Sequence, residues 1–295
     1  MTVKEATEII ESTRYYYTPT EEQLFMYTEA LEFLISETHD TRAMMEFGGY
    51  YYEQRLFDLA LKYYEMASSY GDDNADECLG YVLYYGRTGE QDYKKAFEYF
   101  SKAMERGNLV ATYKIADMYK NGYYVEKDYE KYRNIIEGLY PKIKNARNEY
   151  APLPEIYTRL AKIRVAQGKI EEAVDLYEDA KYFLANRISD NDFFGNLNIM
   201  KWLVEDLYKL TDIDEENINL FDLYYLLKKP IKIAFFHDLL EESYEVEAIE
   251  EEGEVVIRFG NSWYRDPDDF FQNAAINGDK LTALYPVLSV FTVVK

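Results

Sequence analysis

One residue pattern recurs three times in the first half of the chain. A chain built this way folds as a stack of like units rather than around one central core. The first copy runs Ala43, Phe47, Gly48, Tyr51, then Ala60, Tyr63, Tyr64, Ala67, Gly71. The second runs Ala75, Leu79, Gly80, Leu83, Gly86, then Asp92, Ala96, Tyr99, Phe100, Ala103, Gly107. The third runs Ala111, Ile115, Ala116, Tyr119, Gly122, then Asp128. The starts at Ala43, Ala75 and Ala111 are 32 and 36 residues apart.

The spacing predicts a helical hairpin in each copy. Ala43, Phe47 and Tyr51 fall at i, i+4 and i+8, one stripe along a first helix. A small residue beside the stripe (Gly48, Gly80, Ala116) lets the partner helix approach closely. Gly86 and Gly122 suit the left-handed turn that ends a helix. In the second helix Ala96, Tyr99, Phe100 and Ala103 form an i, i+3, i+4, i+7 face, with Gly71 and Gly107 closing the first and second copies. One hairpin cannot bury both of its faces, so neighbours must stack.

On these residues the chain resembles the Sel-1-like repeat family, short helix pairs related to the tetratricopeptide repeat. The family pattern A-x3-L-G-x2-Y-x2-G, then D-x2-K-A-x2-W/Y-Y-x2-A-x3-G, is clearest in the second copy, ADECLGYVLYYG followed by DYKKAFEYFSKAMERG. The third copy departs from it: Tyr132 replaces an alanine, and Pro141 is expected to follow an altered second helix. Residues 157–180 resemble a tetratricopeptide repeat itself, through Tyr157, Leu160, Ala161, Gly168, Ala173, Tyr177 and Ala180, with Ala185 where that family usually has proline. The resemblance covers about residues 41–188 and implies a fold; its families recognise many unrelated partners.

Upstream, Thr18-Pro19-Thr20-Glu21 reads as a helix start, with Thr18 as cap, Pro19 in the first turn and Glu21 completing a capping box. Leu24, Tyr27, Leu31 and Leu34 then give an apolar face. Downstream, Phe193 to Leu210 keeps helical spacing through Phe194, Leu197, Met200, Leu203, Val204 and Leu207, and a second helix covers Leu220 to Leu227, before Pro230. The period then changes. Tyr244, Val246 and Ala248 alternate with Glu245 and Glu247, and Val255, Ile257 and Phe259 with Val256 and Arg258, joined by a loop at Glu250-Glu251-Glu252-Gly253. Asp266 caps a helix with Pro267 at its first position and Phe270, Phe271 and Ala274 on its inner face. Val287 to Val294 closes the sheet. The expected fold is mainly α: an α/α solenoid of stacked helical hairpins, then a small C-terminal α+β module with an antiparallel sheet. The expected divisions are 1–40, an N-terminal helical cap; 41–188, the repeat solenoid; and 189–295, the C-terminal helices and α+β module.

Charge supports the last division. The net charge is −22, and the 107 residues from Ser189 onward carry −13 of it against −9 for the longer N-terminal part. Such charge repels phosphate backbones and anionic lipid, so direct nucleic-acid or membrane binding is not expected. Cys78 is the single cysteine and needs no oxidising compartment. The two histidines, His39 and His237, lie far apart, so no Cys/His metal site is expected. The N-terminus lacks the basic start and apolar run of a secretory leader. The longest apolar stretch, Leu284 to Val294, is too short to span a bilayer. A cytoplasmic protein is the simplest expectation.

No phosphate-binding glycine loop, zinc-protease motif or nucleophile elbow is present. No catalytic residue, cofactor or metal is therefore expected. His237 could serve as a general base in a C-terminal hydrolase, but a strand-end histidine with a local partner fits better. Cys78, beside Leu79 in a repeat helix, reads as a small buried hydrophobe. Asp238 to Glu254 holds nine carboxylates and no basic residue. It reads as a solvated hairpin or as a surface that meets a basic partner or mimics a nucleic-acid backbone.

Tyrosine is unusually abundant, 32 of 295 residues, clustered at Tyr15–Tyr17, Tyr50–Tyr52 and Tyr84–Tyr85. Most serve packing. The repeat resemblance implies that first helices line a concave face, and its register places Met45, Tyr52, Tyr81, Tyr84, Tyr113, Lys120 and Lys162 there. Aromatic rings with polar tips suit binding hot spots. These positions can equally be ordinary exposed helix positions. The expected function is a non-enzymatic scaffold that binds a protein or peptide, of basic or mixed charge, in that face. The alternative is an acidic regulator that blocks a nucleic-acid-binding or other basic protein by charge mimicry.

Overall fold

The structure is a computed structural model that describes residues 1–14, 19–144, 152–190 and 195–294. Among the described residues are thirteen α-helices and seven strands. They group into two compact units, Met1–Gly138 and Leu139–Lys295, a division that falls inside a helix and not at the charge step near Ser189.

The first unit is a succession of helical hairpins: α1 (Val3–Arg14), α2 (Glu21–Thr38), α3 (Thr41–Glu53), α4 (Phe57–Ser69), α5 (Ala75–Tyr84), α6 (Tyr93–Glu105), α7 (Leu109–Asn121) and α8 (Tyr129–Ile143), which runs across the division. The starts are set locally. Asp40, Asp92 and Asn108 each accept the N–H three residues on, at 2.9, 3.0 and 2.8 Å, which satisfies an otherwise orphan donor. At α2 the cap is Thr20 with Gln23 completing the box; the box expected from Thr18 and Glu21 is displaced by two residues, and Thr18 lies outside the described residues.

The small residues act as their spacing implies. A Cβ on Gly48 would stand 2.5 Å from the Tyr64 ring, and one on Gly80 would stand 2.6 Å from the Phe100 ring. Both lie inside van der Waals contact, so only glycine lets α4 and α6 close on α3 and α5. Along the stack the core passes from Ala6, Ile10, Leu31, Leu34 and Phe47 to Phe100, Ala103, Ala111, Ile115 and Met118. In the third copy the altered positions are absorbed. Tyr132 is fully buried, and α8 runs through Pro141, which lies in its last turns and not beyond its end.

The second unit begins with α9 (Leu153–Ala166) packed on α10 (Ile170–Asp190). With buried Ala185 in place of proline, α10 continues for 21 residues. Then come α11 (Asn196–Leu207), a 3₁₀ turn (Leu220–Asp222) and α12 (Leu223–Leu226). Phe193 and Phe194, expected to open α11, lie outside the described residues. The single helix expected over 220–227 is divided because Asn219 and Asp222 cap one another around the 3₁₀ turn.

The module that follows holds β1 (Ile231–His237), β2 (Glu242–Glu251), β3 (Glu254–Phe259), β4 (Ser262–Tyr264), α13 (Pro267–Asn273), the short pair β5 (Ala275–Ile276) and β6 (Asp279–Lys280), and β7 (Leu288–Val293). The main sheet is antiparallel, in the order β4-β3-β2-β1-β7. The β2–β3 turn is two residues long, Glu252 and Gly253, both left-handed at φ 53° and 86°. That is the twist a tight hairpin demands, so Glu250 and Glu251, expected in the loop, extend the strand instead. Ile233, Phe235, Val246, Ala248, Ile257 and Phe259 form the buried face, and Phe270 of α13 meets Phe259 edge-on at 5.9 Å.

Candidate functional site: a tyrosine and cation face on the first helices

The first helices α3, α5 and α7 bring most of the expected residues together in the first unit. Tyr52 near the end of α3 meets Tyr81 of α5 edge-on at 6.4 Å. Tyr81 of α5 and Tyr85, the residue that caps its C-terminus, lie 4.7 Å apart. Facing them, Lys114 of α7 is only 3% exposed. Its Nζ lies 4.5 to 5.3 Å from the ring centres of Tyr85, Tyr81, Tyr84 and Tyr113 and donates to the Tyr85 hydroxyl at 2.5 Å. A buried cation among ring faces is held by their negative quadrupoles. The same charge reaches Glu77, whose carboxyl is pushed up by burial and drawn back by Asn108 and Lys114.

The expected tyrosines differ in exposure. Tyr84 is buried at 8%, its ring set against Tyr93, Phe100 and Tyr123. Tyr52 and Tyr113 are buried as well, and burial pushes the Tyr52 hydroxyl up against the opposing charge of Arg87. Tyr81 is half-buried and Tyr85 is 38% exposed. Met45 is half-buried against a cluster that holds Met44, Ala67 and Ala75. Lys120 is half-buried with its Nζ 5.1 Å from the Tyr132 ring. Lys162 belongs to α9 of the second unit, where it is exposed and pairs with Asp206 at 3.0 Å. The Tyr15–Tyr17 cluster lies outside the described residues.

Three participants escaped the sequence reading: Tyr85, Lys114 and Arg87. Arg87 Nε donates to the Tyr52 hydroxyl at 3.2 Å, and its guanidinium lies over the Phe57 and Tyr85 rings at 5.7 and 5.0 Å. A signal existed for Lys114, since it adjoins the apolar stripe residue Ile115 in a helix with Ala111 and Met118 buried on either side.

Elsewhere, His237 is buried at the end of β1, and its Nδ1 accepts the Leu240 N–H at 3.3 Å, the local partner expected of a strand-end histidine. Cys78 is half-buried, with burial pushing its thiol up and the Tyr64 hydroxyl opposing. The acidic stretch spans the β1–β2 turn, β2 and the β2–β3 turn. Glu245 pairs with Lys232 at 2.7 Å, Glu247 with Arg258, Glu242 with the Tyr244 hydroxyl at 2.6 Å, and Asp238 with Ser289 at 2.5 Å. Glu250, Glu251, Glu252 and Glu254 stand exposed at the hairpin tip. No described helix is long and apolar enough to cross a membrane.

Residues 43–72, 79–108 and 109–131 match the model of the Sel1 repeat. Among solved structures, a Sel1 repeat protein from Oxalobacter formigenes is similar at 18% identity and a TM-score of 0.48, over 72% of this chain and 90% of that one. A protective antigen of uropathogenic Escherichia coli strains, described as displaying an SLR fold, is similar at 18% identity and a TM-score of 0.41, over 65% of this chain and 46% of that one. The type IV pilus biogenesis factor PilW is similar at 14% identity and a TM-score of 0.41, over 70% and 90%. A search of curated proteins finds no match.

Proposed function

We propose that the chain is a non-enzymatic scaffold that binds a protein or peptide on the first-helix face of its Sel1 repeats. The observation that carries this reading is the way Lys114 pins four tyrosine rings from α5 and α7. Tyr81 and Tyr85 thereby offer ring surface that is rigid before any partner arrives. Broad aromatic area that loses little freedom on binding is what hot spots are made of. The buried rings of Tyr52 and Tyr84 pack against Tyr81 and Tyr85 and support this surface. The lone cysteine suits a reducing, cytoplasmic setting.

The test is affinity capture from the native host, read by mass spectrometry, with the Tyr81→Ala/Tyr85→Ala variant beside the parent chain. Tyr84 is unsuited to it because its buried ring supports the fold. The expected result is loss of specific partners at a temperature where circular dichroism shows the variant still folded, with its melt lowered because Lys114 loses the Tyr85 hydroxyl. Equal recovery by both chains would refute the assignment.

The exposed carboxylates at the β2–β3 tip favour a second reading, an acidic surface that meets a basic partner. Replacing Glu250, Glu251, Glu252 and Glu254 with Gln should then abolish capture of basic proteins and leave the tyrosine-dependent set intact. If basic proteins are still recovered, this reading fails.

A further inference from the structure

The turns that follow α3 and α5 border an open groove of about 320 Å³ in the first unit. Arg55, Leu56, Phe57 and Leu59 line it from one turn, and Arg87 and Thr88 from the other. Asp58 supplies a carboxylate to the same wall. Leu56 is 50% exposed and Leu59 38%, so two aliphatic side chains stand in water beside two guanidinium groups.

The two turns share one backbone plan. After α5, Gly86 sits at φ 59°, its N–H bonding Leu83 O, while the Arg87 N–H reaches back to Val82 O at 3.0 Å. After α3, Arg55 sits at the same φ of 59°, its N–H bonding Tyr52 O, while the Leu56 N–H reaches back to Tyr51 O at 2.9 Å. Arg55 thus occupies the left-handed position that the next repeat gives to glycine, where an L side chain is strained. The chain accepts that strain and keeps a cation on the groove wall. Arg87 is held in place by the Tyr52 hydroxyl and by the rings of Phe57 and Tyr85, so its guanidinium is oriented in advance.

We propose that this groove anchors an acidic, aliphatic peptide segment. A leucine-like side chain would pack on Leu56, Phe57 and Leu59, and a neighbouring carboxylate would accept from Arg55 and Arg87. Charge decides the occupant. The chain as a whole carries −22, whereas the lining of this groove holds two guanidiniums and one carboxylate, that of Asp58. Guanidinium–carboxylate pairs are short and charge-assisted, and are frequently bidentate. They prevail at contact because repulsion from more distant carboxylates is screened over about 8 Å at physiological salt. The proposal rests on the scaffold reading only for the occupant being a peptide.

Fluorescence anisotropy with a rhodamine-labelled Gly-Leu-Asp-Leu-Glu-Leu-Gly peptide, and a twin carrying Lys at both acidic positions, tests this. The acidic peptide should bind the full chain more tightly than its twin, and more weakly as salt rises. Arg87→Gln and Arg55→Gly should each weaken it about tenfold. Arg55→Gly should at the same time raise the melting temperature by about 2–4 °C, as the strain is relieved. Affinity and stability moving in opposite directions cannot come from partial unfolding. Equal binding of the twin, or unchanged affinity in both arginine variants, would overturn the proposal. The anisotropy assay reads the groove and capture from the native host reads the first-helix face, so failure of one and failure of the other are told apart.

Discussion

Each of the two units buries a lysine against tyrosine, Lys114 in the first and Lys181 in the second. In the first, Lys114 lies among four tyrosine rings and donates to one hydroxyl. In the second, Lys181 of α10 meets Glu178 at 2.8 Å, Asp222 at 3.1 Å and the Tyr208 hydroxyl at 3.1 Å. Asp222 in turn accepts from Tyr208 at 2.5 Å and from the Asn219 N–H at 2.9 Å. Ring faces attract a cation weakly and from several sides, and they remain apolar packing surface if the cation leaves. Carboxylates attract it strongly along fixed directions, and removal of one strands the charge. The first arrangement suits the organisation of a surface. The second fastens α10 to the 3₁₀ turn that leads into the sheet module.

The sharpest way to break this comparison is Asp222→Ala. It leaves Lys181 buried beside a lost partner and frees the Tyr208 hydroxyl and the Asn219 N–H. The expected cost is about 3–5 kcal/mol, measured by urea denaturation. A loss below about 1 kcal/mol would mean that the ionic cluster does not hold the unit together.

Lys114→Met should cost less, about 1–2 kcal/mol, because a methionine side chain can lie among the same rings. The same urea measurement checks it, and a loss matching that of Asp222→Ala would erase the distinction between the two lysines.

A smaller effect concerns pH. Burial opposes the charge on Lys181, yet Asp222 and Glu178 outweigh it and hold its pKa above the ordinary lysine value. A pKa raised in the folded state contributes stability that is complete below the unfolded value of about 10.4 and is lost as pH rises through the folded value. Tyr208 acts in the same sense, its hydroxyl pushed up by burial and by Asp222. Urea midpoints should therefore begin to fall above about pH 8.5, where the Cys78 thiol of the unfolded chain ionises, and fall more steeply above about pH 10, with a shallower fall above about pH 10 in Lys181→Met. Identical slopes in the two proteins would show that Lys181 carries no share of the alkaline loss.

Much of the repeat region was legible in the sequence because its causes are local. The 32- and 36-residue spacings, the glycines that admit a neighbouring ring, and the Asp and Asn caps act within one helix or across one hairpin. The same holds for the Asp266–Pro267 start of α13, where Asp266 accepts the Asp269 N–H at 2.8 Å. The missed details were boundaries where two local signals compete, as at Thr18 against Thr20, or at Glu250 and Glu251 against the two-residue turn.

The site was less legible because its causes are distant. Tyr81, Tyr84 and Tyr85 share one turn of helix and one residue type, yet one is half-buried, one buried and one exposed. What separates them is Lys114, 29 residues beyond Tyr85, together with Phe100 and Tyr123. The order of residues along the chain settled that hairpins form and stack, since helical periodicity and close approach depend on neighbours three or four positions away. Which rings face water and where cations lodge was decided only when separate repeats came together, because burial and ring–cation attraction depend on distances in space that no periodicity encodes.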